Sequence, residues 1–305
     1  GLPQVPEGSL EIGELSPLAD GQVGLAVLGD PIAHSISPQL HNAALKDLSR
    51  ADSAYDKWRY DKIEVSPAQL EVALPKLAEL GYRGINLTIP HKVEIFSIID
   101  SIDTEAQNIG AVNTLLNNGS EWHGYNSDGY GLERALMGKL NISMSSANIL
   151  ILGAGGAARA AAAQALSRGC KSIWIGNRSS TRLYQMIKAL ADSFNVDCIV
   201  PFEITDIPVA IFEQESLVII NATSLGLNDG DLSPIILEGF PSSTKVYDMI
   251  YNPPETPLLK QARSMGMQSE NGLSMLVYQA VRSLEIWTKE KVSAEKMFSA
   301  ARTAL

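Results

Sequence analysis

Cysteine is nearly missing from this chain of 305 residues: Cys170 and Cys198 are the only two. Two thiols cannot build a disulfide framework or a structural zinc site, so no metal is expected. They read instead as small buried side chains in a reducing compartment. Basic charge is also scarce. The 24 Lys and Arg against 34 Asp and Glu leave a net charge of −10, which excludes the basic face that a nucleic acid requires. An anionic ligand would have to be held by a few local cations and by backbone N–H groups. No Lys or Arg precedes Lys46, so the signatures of a signal peptide and of an Arg-rich transit peptide are both lacking. No apolar run is long enough to span a bilayer, since the longest apolar helix carries Arg159 and Gln164. The expectation is a cytoplasmic protein without a membrane partner. The hydrophobic fraction of 45% and the length of 305 residues allow two domains with cores of their own.

Residues 148–167 are the most informative stretch. Ile149 to Leu152 form a short apolar run, as a parallel strand buried on both faces requires. Gly153, Gly155 and Gly156 break it, and an Ala-rich helix follows as far as Arg168-Gly169. Gly153-Ala154-Gly155-Gly156-Ala157-Ala158 fits the pattern G-x-G-x-x-G/A. The first glycine allows the tight turn and the second lets backbone approach a pyrophosphate. The small third residue lets helix and strand pack closely, with phosphates at the helix N-terminus. A tight strand-to-helix turn with no ligand is the alternative.

The rest of the chain reads as alternating strands and helices. Residues 1–21 hold scattered Pro and Gly and read as an irregular lead-in. Gln22–Leu28, Tyr55–Ile63 and Tyr82–Ile89 read as strands, and Pro38 suits the first turn of a helix. Residues 67–80 and 92–101 read as helices. Asn117-Asn118-Gly119 joins two strand-like runs as a hairpin. A helix to about residue 138 follows. Apolar runs at 172–176, 196–200, 217–221 and 245–250 alternate with helix-like segments, the rhythm of a doubly wound parallel sheet. Helical sequence from Leu273 onward has no strands of its own and should pack back on the first α/β unit. The predicted fold class is α/β with two domains. Residues 22–127 plus 271–305 form one, and residues 128–270 form a Rossmann-type nucleotide domain.

The nucleotide can be read from the next strand end. An acid about 20 residues past the glycines would accept from a free ribose 2′-hydroxyl and select NAD. Here Ser172–Ile175 runs into Gly176-Asn177-Arg178-Ser179-Ser180-Thr181-Arg182, with no carboxylate. Arg178 and Arg182, four apart, can converge on one group, and guanidinium fits phosphate. NADP is therefore expected, with two solvated arginines as the alternative. Lys92 follows a strand end in Asn86-Leu87-Thr88-Ile89-Pro90-His91-Lys92, where it could donate to a carbonyl oxygen, or simply face solvent. Asp128 could act with it, or cap a helix. Ser35 and Ser37 could give two hydroxyls to one anionic group, or form a capping turn.

These strings together resemble the shikimate dehydrogenase family. The resemblance rests on Gly29-Asp30-Pro31-Ile32-Ala33-His34-Ser35-Ile36-Ser37-Pro38 with His41-Asn42, and on Asn86 to Lys92. It continues through Gly110-Ala111-Val112-Asn113-Thr114 and Gly124-Tyr125-Asn126-Ser127-Asp128-Gly129-Tyr130-Gly131. Asn177-Arg178-Ser179 with Arg182, Asn221-Ala222-Thr223-Ser224-Leu225-Gly226 and Asp248-Met249-Ile250-Tyr251-Asn252-Pro253 also match. Gly272-Leu273-Ser274-Met275-Leu276 with Gln279-Ala280 closes a series that runs in family order from about residue 22 to the end.

The resemblance implies an NADPH-dependent, reversible reduction of 3-dehydroshikimate to shikimate in the route to chorismate and the aromatic amino acids. Ser35 and Ser37 would hold the substrate carboxylate, with Tyr251 nearby, while Thr88, Asn113 and Gln279 would bind its hydroxyls. Lys92 and Asp128 would be the catalytic pair, Lys92 giving a proton to the nascent alkoxide and Asp128 holding Lys92 and the adjacent hydroxyl. Gly153, Ala154, Gly155, Gly156 and Ala157 would carry the phosphates, and Asn177, Arg178, Ser179 and Arg182 the 2′-phosphate. Thr223 would bind the cofactor too, and Gly272 and Met275 would border the nicotinamide. The substrate domain would meet the cofactor domain at a cleft, in a monomer or a homodimer. Leu87, Ser127 and Ser179 depart mildly from the usual Val, Thr and Thr, each keeping apolar bulk or a hydroxyl. Ser37 favours shikimate over quinate. The alternatives are a quinate/shikimate dehydrogenase that uses NAD, and a dinucleotide-binding regulator without catalysis, against which the presence of both Lys92 and Asp128 argues.

Overall fold

A computed structural model describes residues 8–305. The chain divides into two compact units. One takes the described residues up to Gln107 together with Ala111–Ser127 and Val277–Leu305, and the other takes Asn108–Gly110 and Asp128–Leu276.

The first unit is built on strands β1 (Leu10–Glu11), β2 (Val23–Gly29), β3 (Trp58–Glu64), β4 (Tyr82–Leu87), β5 (Ser101–Ile102), β6 (Thr114–Asn117) and β7 (Trp122–Tyr125). They form one sheet in the order β1-β3-β2-β4-β6-β7-β5. Its parallel part, β1-β3-β2-β4, turns antiparallel at β4–β6 and β6–β7. Helices α1 (Ser37–Ser49), α2 (Leu70–Leu80), α3 (His91–Glu94) and α4 (Thr104–Ile109) lie between the strands. β2 is buried over all but its first residue, as an interior parallel strand must be. Leu70, Leu74 and Leu77 of α2 pack on Ile63, Tyr82, Ile85 and Leu87 in one core. Gly81 ends α2 in the left-handed conformation, with φ of 108°.

Three local readings change. The lead-in supplies the edge strand β1, and Leu10, Ile12, Leu15 and Leu18 pack against the core. The helix expected over 92–101 is the single turn α3 followed by a 3-10 turn, Ile95–Ser97. The β-branched Ile98 and Ile99 come next, and Ser101–Ile102 leaves the helical path to pair with β7. Asp30–Pro31 and Ile89–Pro90 are cis.

The second unit carries α5 (Asp128–Leu140), β8 (Asn148–Leu152), α6 (Gly156–Ser167), β9 (Ser172–Asn177), α7 (Ser180–Ala191) and β10 (Ile199–Glu203). β11 (Leu217–Asn221), β12 (Lys245–Asp248), α8 (Pro257–Ser264) and β13 (Ser269–Glu270) complete it. Its all-parallel sheet has the order β10-β9-β8-β11-β12-β13. The order reverses at β8, whose two neighbours lead away in opposite directions, the switch point of a doubly wound fold. The alternation with helices is incomplete. β10 and β11 are joined through a 3-10 turn, Val209–Glu213, after Pro208, and residues 222–244 between β11 and β12 form no helix. Gly226, Gly230 and Gly239 have positive φ in that connection, which no helix accommodates.

Helix α9 (Leu273–Thr288) runs into the first unit, and α10 (Ala294–Ala304) packs on α1 there. Trp287 lies flat on β4 because residue 84 is glycine: a Cβ at Gly84 would sit 2.5 Å from the indole. Its Nε1 donates to the Leu115 carbonyl at 2.9 Å. The C-terminal helices thus cover the first sheet, as their sequence required.

Candidate functional site

In the first unit the candidate residues gather at one end of the sheet. β2 and β4 are parallel neighbours, so the loops after them leave side by side. The Ser35–Ser37 turn follows β2, and Thr88 to Lys92 follow β4, tied back by Thr88 N–H donating to the Leu28 carbonyl at 3.0 Å. Gly29 makes this possible, because a Cβ there would lie 2.5 Å from the Thr88 methyl. Asn113 precedes β6, which runs antiparallel to β4, so it starts at the same end. Leu87 N–H donates to the Asn113 carbonyl at 2.9 Å.

Ser35 Oγ accepts from Ser37 N–H at 3.3 Å, so the capping turn is formed. That bond uses an oxygen lone pair and leaves the hydroxyl proton for an anionic acceptor. His91 is buried, and its Nε2 donates to the Val65 carbonyl at 2.7 Å. Burial lowers its imidazole against the smaller opposing pull of that bond. Lys92 is half-buried in the single turn α3, and Val112 N–H donates to its carbonyl at 2.8 Å. Asn113, 2% exposed, donates from Nδ2 to Gln279 Oε1 at 3.4 Å.

One residue of the string Asn86 to Lys92 carries no role in the sequence reading. Asn86 sits two positions before Thr88 on β4 and is 6% exposed. Its Oδ1 accepts from the Tyr60 hydroxyl at 2.7 Å, and its Nδ2 donates to the Asn113 carbonyl at 3.1 Å. The available signal is an amide between Ile85 and Leu87, at the apolar end of β4. His41 stacks on Tyr60 with ring centroids 4.2 Å apart.

In the second unit every candidate but Asp128 lies at or beyond the C-terminal end of a parallel strand. Gly153 has a φ of 121°, and a Cβ there would meet the Ala222 carbonyl oxygen at 2.9 Å, so glycine is needed twice over. Gly155 differs: its backbone is extended, and a Cβ would meet nothing within 4 Å. The turn therefore presents open backbone beside the start of α6, where no side chain caps the helix. Uncapped N–H groups at that end suit an anion. Small side chains at Ala158 and Ala160–Ala163, all buried, seat the helix closely.

Gly153 N–H donates to the Gly176 carbonyl at 2.9 Å, which sets the glycine turn beside the end of β9. Asn177 Nδ2 donates to the Ser179 carbonyl at 3.0 Å, and Ser179 Oγ caps α7 by accepting from Arg182 N–H at 3.3 Å. Arg178 and Arg182 are both exposed, one in the loop and one in the first turn of α7. The stretch Gly176 to Arg182 that ends β9 and opens α7 contains no carboxylate, although Glu203 of β10 pairs with Asn177. Thr223, after β11, donates from Oγ1 to Asn221 Oδ1 at 2.7 Å. Asp248 ends β12 fully buried; burial raises its carboxyl, while Thr256 Oγ1 at 2.7 Å, Ile250 N–H and Asn221 Nδ2 donate to it and oppose the shift. Tyr251 follows, half-buried. A Cβ at Gly272 would fall 1.9 Å from the Met249 carbonyl oxygen, so only glycine lets α9 begin there. Met275 N–H then donates to the Tyr247 hydroxyl at 3.0 Å. Asp128 is the first residue of α5, 4% exposed, where a carboxylate suits the helix dipole. No cluster of His, Cys, Asp and Glu fit for a metal occurs among the described residues.

Three family models match the chain: the shikimate dehydrogenase substrate binding domain over residues 27–115, shikimate/quinate 5-dehydrogenase over 135–226, and the shikimate 5′-dehydrogenase C-terminal domain over 272–302. The NADP(+) shikimate dehydrogenase of Geobacter metallireducens is 38% identical over 87% of this chain and 90% of its own length. That of Bacillus subtilis is 38% identical over 90% of this chain and 94% of its own. The crystal structure of shikimate 5-dehydrogenase from Thermus thermophilus in complex with NADP(H) and shikimate superposes with a TM-score of 0.80 at 32% identity. The match covers 93% of this chain and 100% of that one.

Proposed function

The chain belongs to the shikimate dehydrogenase family, and we propose that it reduces 3-dehydroshikimate reversibly to shikimate with NADPH. The observation that carries this reading is the open, uncapped glycine turn beside a strand end that bears two arginines and no acid. Those groups fit a 2′-phosphorylated dinucleotide. Gly153 would shape the turn, its own N–H held by the Gly176 carbonyl. The N–H groups of Ala154, Gly155, Gly156 and Ala157 would hold the pyrophosphate, and Asn177, Arg178, Ser179 and Arg182 the 2′-phosphate. Thr223, Gly272 and Met275 would flank the rest. When bound, the cofactor supplies the hydride.

The protein's own residues orient the substrate and manage its proton. The hydroxyls of Ser35, Ser37 and Tyr251 bind the carboxylate, and Thr88, Asn113 and Gln279 bind the ring hydroxyls. As the carbonyl carbon is reduced, negative charge builds on its oxygen. Lys92 Nζ donates the proton that neutralises it, and Asp128 accepts a hydrogen bond from the neighbouring substrate hydroxyl. In the oxidative direction Lys92 takes the proton back. Against expectation neither thiol is buried, Cys170 being half-buried and Cys198 exposed. A reducing, cytoplasmic setting fits them, and no described helix is long and apolar enough to cross a membrane.

Lys92→Ala tests the assignment. Its kcat with shikimate should fall by about 10²- to 10⁴-fold, the usual worth of a general acid. Its Kd for NADPH should stay within about twofold of the parent, since no cofactor contact is lost. An unchanged kcat would remove Lys92 from the chemistry.

A further inference from the structure

Five buried polar side chains of the first unit form a network in which the hydrogen-bond directions can be worked out. Asn113 Oδ1 lies 2.8 Å from Ser127 N–H, which can only donate, so that atom is the amide oxygen. Thr114 Oγ1 lies 3.0 Å from the same oxygen and must spend its one proton there. The Thr114–Ser283 contact of 2.8 Å is then donated by Ser283. With that proton used, the Ser127–Ser283 contact of 3.0 Å is donated by Ser127. Ser127 in turn accepts from Asn113 Nδ2 at 2.9 Å. The ring runs Asn113, Ser127, Ser283, Thr114 and back to Asn113, each member donating to the next.

Asn86 joins the ring at two members, its Nδ2 donating to Ser283 at 3.1 Å and to Thr114 Oγ1 at 3.3 Å. Its amide is oriented as firmly, because Nδ2 also faces the Asn113 carbonyl and Oδ1 faces the Tyr60 hydroxyl. Thr114, Ser127 and Ser283 are all 0% exposed, so water cannot stand in for a missing member. Such a one-way chain is cooperative, each bond polarising the next. Ser283 touches Asn86, Thr114 and Ser127, and of the members it alone comes from the C-terminal helix α9. It also lies one helical turn after Gln279 on the same face of α9.

We propose that Ser283 is a positioning residue for substrate recognition: it closes the ring that fixes the Asn113 amide, with its nitrogen toward Gln279, and braces Ser127 ahead of Asp128. This rests on the reading of Asn113 and Gln279 as the residues that bind substrate hydroxyls. Ser283 touches no reacting atom. Its effect falls on how well the hydroxyl pattern is read, not on hydride delivery or cofactor binding.

The test is steady-state kinetics of Ser283→Ala, the near-isosteric Thr114→Val and the double variant, with Asn113→Ala as the control. Each single variant should raise KM for shikimate about tenfold, the scale of one lost buried hydrogen bond. Kd for NADPH should stay within about twofold. Because either change opens the same ring, the double variant should lose less than the product of the singles. The inference is overturned if KM for shikimate stays within twofold in both singles, if KM and Kd rise together, or if the losses multiply. Thr114→Val keeps its volume and retains the test should Ser283→Ala unfold. If Asn113→Ala itself leaves KM unchanged, the reading of the site fails, and not merely the role of Ser283.

Discussion

His41 shows how far a single residue can be committed to one protonation state. It is fully buried between Tyr60 and Trp287, neither ring nitrogen has a hydrogen-bond partner, and burial pushes its imidazole from 6.5 down to about 3. A lowered value means that the unfolded chain takes up the proton first. Stability from this group is therefore complete above pH 6.5 and is lost as pH falls toward 3. By pH 5 the loss should reach about 2 kcal/mol. Urea unfolding of the parent and of His41→Gln at pH 7 and pH 5 checks this: the parent should lose about that much more than the variant. Equal losses would show that His41 does not titrate as its burial requires. His41 was visible in the sequence only as part of a motif. What makes it matter, the stacking on Tyr60 and hence the bracing of Asn86, depends on β3, β4 and α1 meeting, which no local pattern encodes. Ser283 is invisible for the same reason, since a serine within an amphipathic helix gives no sign of partners in β4, in β6 and before α5.

At the scale of elements, the glycine turn and α6 separate two uses of glycine. Gly153 serves the fold, through its positive φ and its closeness to Ala222, whereas Gly155 faces open space. Gly155→Val should leave Tm unchanged and raise Kd for NADPH at least about tenfold, because the new side chain meets only the ligand. A fall in Tm with unchanged Kd would assign Gly155 to the fold instead. Elements with strong local signals were legible: β8 with its apolar run, α2 closed by Gly81, and the hairpin at Asn117–Gly119. The failures have physical causes. Ile98 and Ile99 cut the expected helix after α3 short, and β1 is a strand of two residues whose partner, β3, lies far along the chain. Between β11 and β12 the positive φ of Gly226, Gly230 and Gly239 forbids the helix that the repeating rhythm predicts.

Over the whole molecule, two parallel or mainly parallel sheets each carry most of their candidate residues at the C-terminal ends of parallel strands, the end at which α/β sheets bind ligands. The cofactor assignment was the easier half to read, because the glycine turn and Arg178 with Arg182 lie close together in sequence. The substrate half is assembled from β2, β4, β6 and α9, and only a family resemblance could join Ser35, Lys92, Asn113 and Gln279 before the fold was known. The claim that unites both halves is a shikimate dehydrogenase that prefers NADP. Its most direct test is kcat/KM for the purified protein with shikimate and with quinate, each measured with NADP and with NAD. Turnover should be highest with shikimate and NADP, fall by at least about tenfold with NAD for want of the 2′-phosphate, and fall further with quinate. Quinate turnover equal to that of shikimate, or NAD serving as well as NADP, would contradict it.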